Sequence, residues 1–220
     1  KSKIVVNAHE IIKGIMPDLT VDKESDFFMM ERANADLTAT LISDLFCERL
    51  KKSYGYSPLT DIQVLCPSRK GRCGAVSVNN MLQARINPDD GVKKSLTQKG
   101  FTMRVGDKVM QIKNNYDIEW LGDDGTEGVG IFNGDIGILE KINTQNGLVT
   151  INFDGRVAEI AAENLSELDL SYAITVHKSQ GSEFKAVIMP VIGVVPELSY
   201  RNLLYTAVTR AKKLLIFSEI

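Results

Sequence analysis

The sequence predicts an α/β fold: a parallel sheet with helices on both faces, interrupted by a small β-barrel. Three observations carry that expectation. In the first and last thirds, short β-branched runs alternate with stretches of helical period. The middle third carries alternating runs separated by Asn133-Gly134, Asn146-Gly147 and Asp154-Gly155, the strongest short-range hairpin signals. The composition is that of a globular protein: 220 residues, 44% hydrophobic and 25% charged, which excludes collagen-like, low-complexity and disordered chains.

Taken in order, Ile4-Val5-Val6 reads as a short strand, followed by His9 to Lys13 and a break at Gly14 to Pro17. Asp18 to Asp36 is acid-rich, with Phe27 to Met30 as an exposed strand or connector. Leu37, Leu41 and Leu45 repeat every four residues beside Ile42, Phe46 and Arg49, which predicts an amphipathic helix ending near Lys52. Ile62 to Cys66 is a strand stopped by Pro67, and Ala75 to Ile86 a helix ended by Asn87-Pro88.

Lys108 to Lys113 alternates, and a polar, Gly-rich insertion follows from Asn114 to Gly130. Ile136 to Ile142, Leu148 to Phe153 and Arg156 to Ile160 complete a meander of four or five short strands, expected to close as an SH3-like or OB-like barrel over residues 98–168. Residues 1–97 and 169–220 then form one discontinuous α/β domain. Its last part reads as a strand at Tyr172 to Val176, a polar turn at His177 to Glu183, a buried strand at Phe184 to Ile192, a helix at Ser199 to Lys212 and a closing strand at Leu214 to Phe217.

Lysine and arginine number 26 against 28 acids, a net charge of 26 − 28 = −2, which speaks against a surface coated in base. Three cysteines without a CxxC pair suit a reducing, cytoplasmic setting, and two distant histidines give no metal site. No apolar run approaches the roughly 20 residues that span a bilayer, so no membrane partner is expected. The longest run, Val187 to Pro196, holds two prolines and a glycine. No GxxxxGK[ST] phosphate loop and no Ser-His-Asp set occur in the chain.

Three segments could carry chemistry. Tyr172 to Phe184 ends a strand in a turn dense with Thr175, His177, Lys178, Ser179, Gln180, Gly181, Ser182 and Glu183. Ligands of open α/β sheets sit at the carboxyl ends of strands, and such a turn can hold phosphate or sugar oxygens. The plain alternative is an ordinary polar loop. Arg201 to Lys213 places Leu204, Ala207, Val208 and Ala211 on one helical stripe, with Thr206 and Arg210 four apart on the opposite flank. An arginine held there could reach a phosphate of a neighbouring domain, or simply complement the helix dipole. Cys66 to Cys73 holds Ser68, Arg69, Lys70, Gly71 and Arg72, a compact cationic loop that suits a phosphodiester backbone or is merely solvated.

Together these segments resemble a known family. Thr175-Val-His-Lys-Ser-Gln-Gly-Ser-Glu-Phe184 resembles the fifth motif of RecD-type superfamily-one DNA helicases, and Leu203-Leu-Tyr-Thr-Ala-Val-Thr-Arg-Ala-Lys212 their sixth. Ile4 to Gly14 and Val64 to Gly71 are similar to earlier stretches of the same second motor domain. Asp107 to Tyr116 and Phe132 to Gly137 are similar to its inserted SH3-like subdomain. The resemblance covers essentially the whole chain. It implies a RecA-like parallel sheet interrupted by the barrel, and ATP-driven translocation on single-stranded DNA with 5′-to-3′ polarity.

By the same resemblance, ATP with Mg²⁺ lies between two RecA-like domains, of which this chain is the second. The phosphate loop, the Mg²⁺-holding acid and a fourth-motif arginine before Lys1 would belong to the rest of a longer polypeptide, and no cofactor is expected to stay tightly bound to this piece alone. Arg210 is implied as the arginine finger, with Gln180, Gly181 and Glu183 on the nucleotide side and Glu183 at the ribose. Thr175, His177, Ser68 and Arg69 are implied to face DNA, and Tyr205, Thr206 and Thr209 to position Arg210 or link the two sites. Implied partners are single-stranded DNA, the first RecA-like domain of the same polypeptide, and subunits of a nuclease complex. A different class of function remains open: a nonenzymatic single-strand-binding module acting through the barrel, although no obvious row of aromatics marks one of its faces.

Overall fold

The computed structural model describes all residues except 1, 21, 23, 99, 192–197 and 220, and only the backbone at 198–200. The end of the expected buried strand at Ile192 and the rest of the apolar run to Pro196 lie outside the described residues. The chain opens with α1 (Lys3–Lys13), β1 (Phe27–Glu31), α2 (Ala35–Asp44), a π-helical turn at Leu45–Arg49, α3 (Leu50–Tyr54), β2 (Ile62–Cys66) and α4 (Ala75–Ile86). Nine short strands follow: β3 (Ser95–Gln98), β4 (Phe101–Arg104), β5 (Lys108–Gln111), β6 (Asn115–Gly122), β7 (Glu127–Ile131), β8 (Ile136–Asn143), β9 (Leu148–Phe153), β10 (Arg156–Ile160) and β11 (Leu168–Leu170). The chain ends with β12 (Ala173–Thr175), β13 (Phe184–Val191), α5 (Leu198–Val208) and β14 (Ala211–Glu219).

Two compact units result, Lys1–Leu82 with Ala173–Ile220 and the intervening Gln83–Tyr172. The first holds a five-stranded sheet in the order β1-β14-β13-β2-β12, parallel at every pairing, with helices packed against it. Parallel sheets are buried on both faces and therefore read as continuous apolar runs, as Ala186 to Val191 does. Phe27 and Phe217 meet edge to face at 5.4 Å across neighbouring strands, both 1% exposed.

Ile4 to Val6 is helical, not a strand. Ser2 caps α1, the Asp26 carboxylate accepts from the amides of Lys3 and Ile4, and Gly14 ends the helix at φ 75°. Ile4, Asn7, Ala8 and Ile11 are its buried face, a helical period that the β-branched run obscures. The helix expected to end near Lys52 continues to Tyr54 through a π-turn, and Phe27 to Glu31 is an ordered strand.

The second unit has more strands than expected. A seven-stranded antiparallel sheet runs β11-β5-β8-β9-β10-β6-β7, with β3-β4 as a separate hairpin. The polar stretch from Asn114 to Gly130 is largely the β6–β7 hairpin rather than a loop. Asp154-Gly155 turns β9 into β10 with both residues at positive φ (53° and 86°), as a tight hairpin requires. Where the unit begins and ends, the fully buried Asp107 gathers its two termini. One carboxylate oxygen accepts from Asn87 Nδ2 and the Tyr172 hydroxyl, both at 2.8 Å, and the other from Gln83 Nε2 and the Arg104 amide, both at 2.6 Å. Burial, and then the neighbouring charge of Asp107, push the Tyr172 phenol well above its ordinary pKa.

Candidate functional site

The sheet register divides the candidate residues into two groups. Thr175 pairs with Cys66 at the carboxyl ends of β12 and β2, so His177, Ser68 and Arg69 follow directly from that edge. Ala186 of β13 instead pairs with Ile62, the first residue of β2, and Phe184 pairs with Ala211 at the start of β14. Glu183 and Arg210 therefore sit at the amino edge, about four residues or ~13 Å of strand away. Residues 176–183 run from one edge to the other. The carboxyl-edge rule for ligands of open sheets accounts for the first group and not for the second.

The carboxyl-edge group is built on two tight turns. The β2–α4 loop curls so closely that a Cβ on Gly74 would lie 2.2 Å from the Lys70 carbonyl oxygen. The Ser68 hydroxyl donates to the Lys70 carbonyl at 2.8 Å, and the Ser68 and Arg69 carbonyls accept the Ala75 and Val76 amides, capping α4. Ser68 and Arg69 are exposed, whereas Arg72 is paired with Asp36 at 2.6 Å. β12 is an edge strand, and Asn79 substitutes for a missing neighbour: Nδ2 donates to the Ala173 carbonyl at 2.7 Å and Oδ1 accepts the Ala173 amide at 2.8 Å. Sequence reasoning missed Asn79, whose signal is a polar residue on the core-facing side of a helix.

From Thr175 the chain enters a 3₁₀ turn, Val176–Ser179, pinned by the buried Ser179 hydroxyl donating to the Val176 carbonyl at 2.6 Å. The exposed His177 and Gln180 line one cleft of about 370 Å³, bounded by Pro67 and by Asn202, Leu203 and Thr206 of α5. Gly181 lies at φ 84° with open space where a side chain would stand, so backbone conformation, not crowding, calls for glycine there.

Arg210 is not on a helix. α5 stops at Val208, and Thr209 and Arg210 form the turn into β14, with Ala211 already on the strand. The expected four-residue helical spacing of Thr206 and Arg210 is thus replaced by a chain of contacts. Arg210 Nη2 donates to Thr209 Oγ1 at 3.1 Å, Thr209 Oγ1 donates to the Thr206 carbonyl at 2.9 Å, and Arg210 Nη1 donates to the Ser182 carbonyl at 3.0 Å. The Arg210 carbonyl accepts the Phe184 amide at 2.8 Å, while its buried Nε has no hydrogen-bond partner. Alongside, Lys212 pairs with Glu183 at 2.9 Å. The hydrogen bond and charge of Lys212, with a smaller contribution from Arg210, hold the Glu183 carboxyl below the usual range. Among the described residues no cluster of side chains suits a metal ion, and no helix is long and apolar enough to cross a membrane.

Comparison with known proteins identifies both parts of the chain. Residues 78–153 match the ATP-dependent RecD-like DNA helicase SH3 domain, and residues 170–218 the UvrD-like helicase C-terminal domain. The ATP-dependent RecD2 DNA helicase of Deinococcus radiodurans is 39% identical over 155 residues, covering 69% of this chain and 19% of that protein. The RecBCD enzyme subunit RecD of Buchnera aphidicola from Schizaphis graminum is 29% identical over 165 residues, covering 71% and 24%. The chain thus spans about a fifth to a quarter of these relatives. Pif1 helicase from Bacteroides, solved with ADP-AlF3 and single-stranded DNA, shares the fold at a TM-score of 0.54 and 17% identity, covering 99% of this chain and 49% of that one. The matched SH3 and helicase C-terminal domains, together with the RecD2 relative, show that the chain belongs to the RecD-like DNA helicase family.

Proposed function

We propose that this chain is the second half of an ATP-dependent DNA motor with 5′-to-3′ polarity, made of a discontinuous RecA-like domain (1–97 and 169–220) and an inserted barrel (98–168). One observation carries the reading. The segment 176–183 leaves the edge that bears Thr175 and His177 and arrives under the guanidinium of Arg210, which it holds through the Ser182 carbonyl. A movement of that segment is felt at both ends, which is what coupling between nucleotide state and DNA hold requires.

Arg210 is the arginine finger: its guanidinium, held at the amino edge of the sheet by the Ser182 carbonyl and Thr209 Oγ1, would stabilise charge on the γ-phosphoryl group. Gln180, Gly181 and Glu183 serve the nucleotide side, and Glu183 can reach ribose hydroxyls only by sharing its carboxylate with Lys212. Thr175, His177, Ser68 and Arg69 hold the DNA backbone. Bound ATP with Mg²⁺ supplies the phosphoryl group whose loss drives movement, and the phosphate loop comes from a first RecA-like domain of the same polypeptide. Subunits of a nuclease complex are candidate partners, because several relatives are named as RecBCD subunits. A DNA motor of this kind acts in the cytoplasm.

The test is ATP hydrolysis with and without oligo(dT). The 220-residue chain alone should show no DNA-stimulated turnover, and a longer polypeptide with a phosphate-loop domain should show it; robust hydrolysis by the chain alone contradicts the proposal. The nonenzymatic alternative has one observation in its favour: Tyr116, 66% exposed, stands edge-on to Phe132 at 5.5 Å on the barrel. It requires Tyr116→Ala to abolish single-strand binding, whereas the motor reading places that loss at His177 and Arg69.

A further inference from the structure

The β6–β7 hairpin bounds a groove of about 800 Å³ lined by none of the residues assigned above to nucleotide or DNA. Its lining includes four carboxylates, Asp117, Glu119, Glu127 and Glu159, and not one lysine or arginine. Leu121 and Val129 stand in the same groove 51% and 64% exposed. Glu119 lies opposite Val129, and Leu121 opposite Glu127, in the antiparallel register. On one face of the hairpin, Glu119 and Leu121 of β6 and Glu127 and Val129 of β7 therefore set an acid beside an apolar side chain, about 7 Å apart along each strand and opposed across the pair, with Asp117 a further acid on β6. Trp120 and Gly128 alternate with these residues, so the indole lies across Gly128 on the opposite face of the hairpin, where a Cβ would come within 2.3 Å of the ring. β7 is the last strand of its sheet.

We propose that this groove docks an extended segment of a partner protein that alternates basic and apolar side chains on one face. Charge sets the choice of occupant. The nearby Arg156, over the Trp120 ring, is already paired with Asp135 at 3.1 Å, so the four carboxylates repel a phosphodiester backbone and attract lysine or arginine, whose aliphatic stems also cover Leu121 and Val129. Apolar side chains left this exposed on adjacent strands gain from burial under such a segment. The sheet edge at β7 gives an extended chain a place to lie.

The probe is a nonapeptide, Lys-Thr-Val-Thr-Lys-Thr-Val-Thr-Lys, carrying fluorescein at its N-terminus, whose anisotropy is followed as the 220-residue chain is added. Three comparisons accompany it: the same peptide with glutamate for lysine, an equal composition with lysines, threonines and valines in separate blocks, and oligo(dT). The alternating cationic peptide should shift in anisotropy saturably, with affinity falling as salt rises. The double variants Glu119→Lys/Glu127→Lys and Leu121→Ser/Val129→Ser should each weaken it about tenfold or more. All four positions are exposed, and a denaturation midpoint close to that of the unsubstituted chain confirms that each variant is folded. No saturable shift, an equal shift with the blocked or the glutamate peptide, or a stronger response to oligo(dT) overturns the proposal.

Discussion

The guanidinium of Arg210 and the carbonyl of Ser182 are joined at 3.0 Å, although 28 residues separate them in the chain. Thr209 completes the hold, accepting from Arg210 Nη2 and donating back to the Thr206 carbonyl at the end of α5. If Arg210 is the finger, Thr209 is a positioning residue, and Thr209→Val in the full motor should lower kcat for ATP about tenfold with a smaller change in KM. Thr209→Ser, which keeps the hydroxyl, should restore most of the rate. A purely structural Thr209 would leave kcat unchanged while lowering the melting temperature.

Glu183 and Lys212 make a pH prediction. The Glu183 carboxyl is lowered in the folded state, so the contribution of its pair is fully present above the ordinary glutamate pKa and is lost as pH falls through the lowered one. Lys212→Ala should raise the Glu183 pKa toward its ordinary value, followed through the side-chain carboxyl resonance by NMR. An unchanged titration means that the ion pair does not persist in solution.

Asn79 holds both backbone groups of Ala173 on the edge strand that leads to Thr175 and His177. Asn79→Leu leaves a buried amide and a buried carbonyl without partners, at about 2–4 kcal/mol of stability for the pair. Urea denaturation measures the loss. Weaker single-stranded DNA binding should accompany it, because the strand that carries the contact is no longer fixed.

Gly181 needs its positive φ and not its small volume. Gly181→Ala should cost about 1–2 kcal/mol, and Gly181→Asn less, since asparagine tolerates the left-handed region. Equal costs in thermal denaturation would mean that the turn between the two sheet edges does not hold this conformation.

Much of the fold was legible in sequence because its signals were local. Asp154-Gly155 specified a turn, and Ala186 to Val191 was apolar throughout because a central parallel strand is buried on both faces. What escaped depended on partners distant in sequence. Ile4 to Val6 looked like a strand because its β-branched residues outweighed the local Ser2 cap, and the second support of the helix start, Asp26, lies more than 20 residues away. The hairpin from Asn115 to Ile131 was hidden by its glycines: Gly128 makes room for Trp120, so the alternation expected of a strand is broken where the packing is tightest. Arg210 was placed on a helix because the alanines around it favour one. Its carbonyl accepts from Phe184 at the start of β13, and the strand pairing of Ala211 begins immediately after it. The separation of the candidate residues between two sheet edges could not be read from spacing, since it follows from the strand order.

The most direct measurement is DNA-stimulated ATP turnover of Arg210→Ala in a polypeptide that joins this chain to its phosphate-loop domain, with oligo(dT) affinity read in parallel by fluorescence anisotropy. The finger assignment predicts a fall in kcat of about 10³-fold or more with oligo(dT) affinity within a few-fold of the unsubstituted protein. Turnover that survives the substitution, or a loss of DNA binding as large as the loss of turnover, would contradict it.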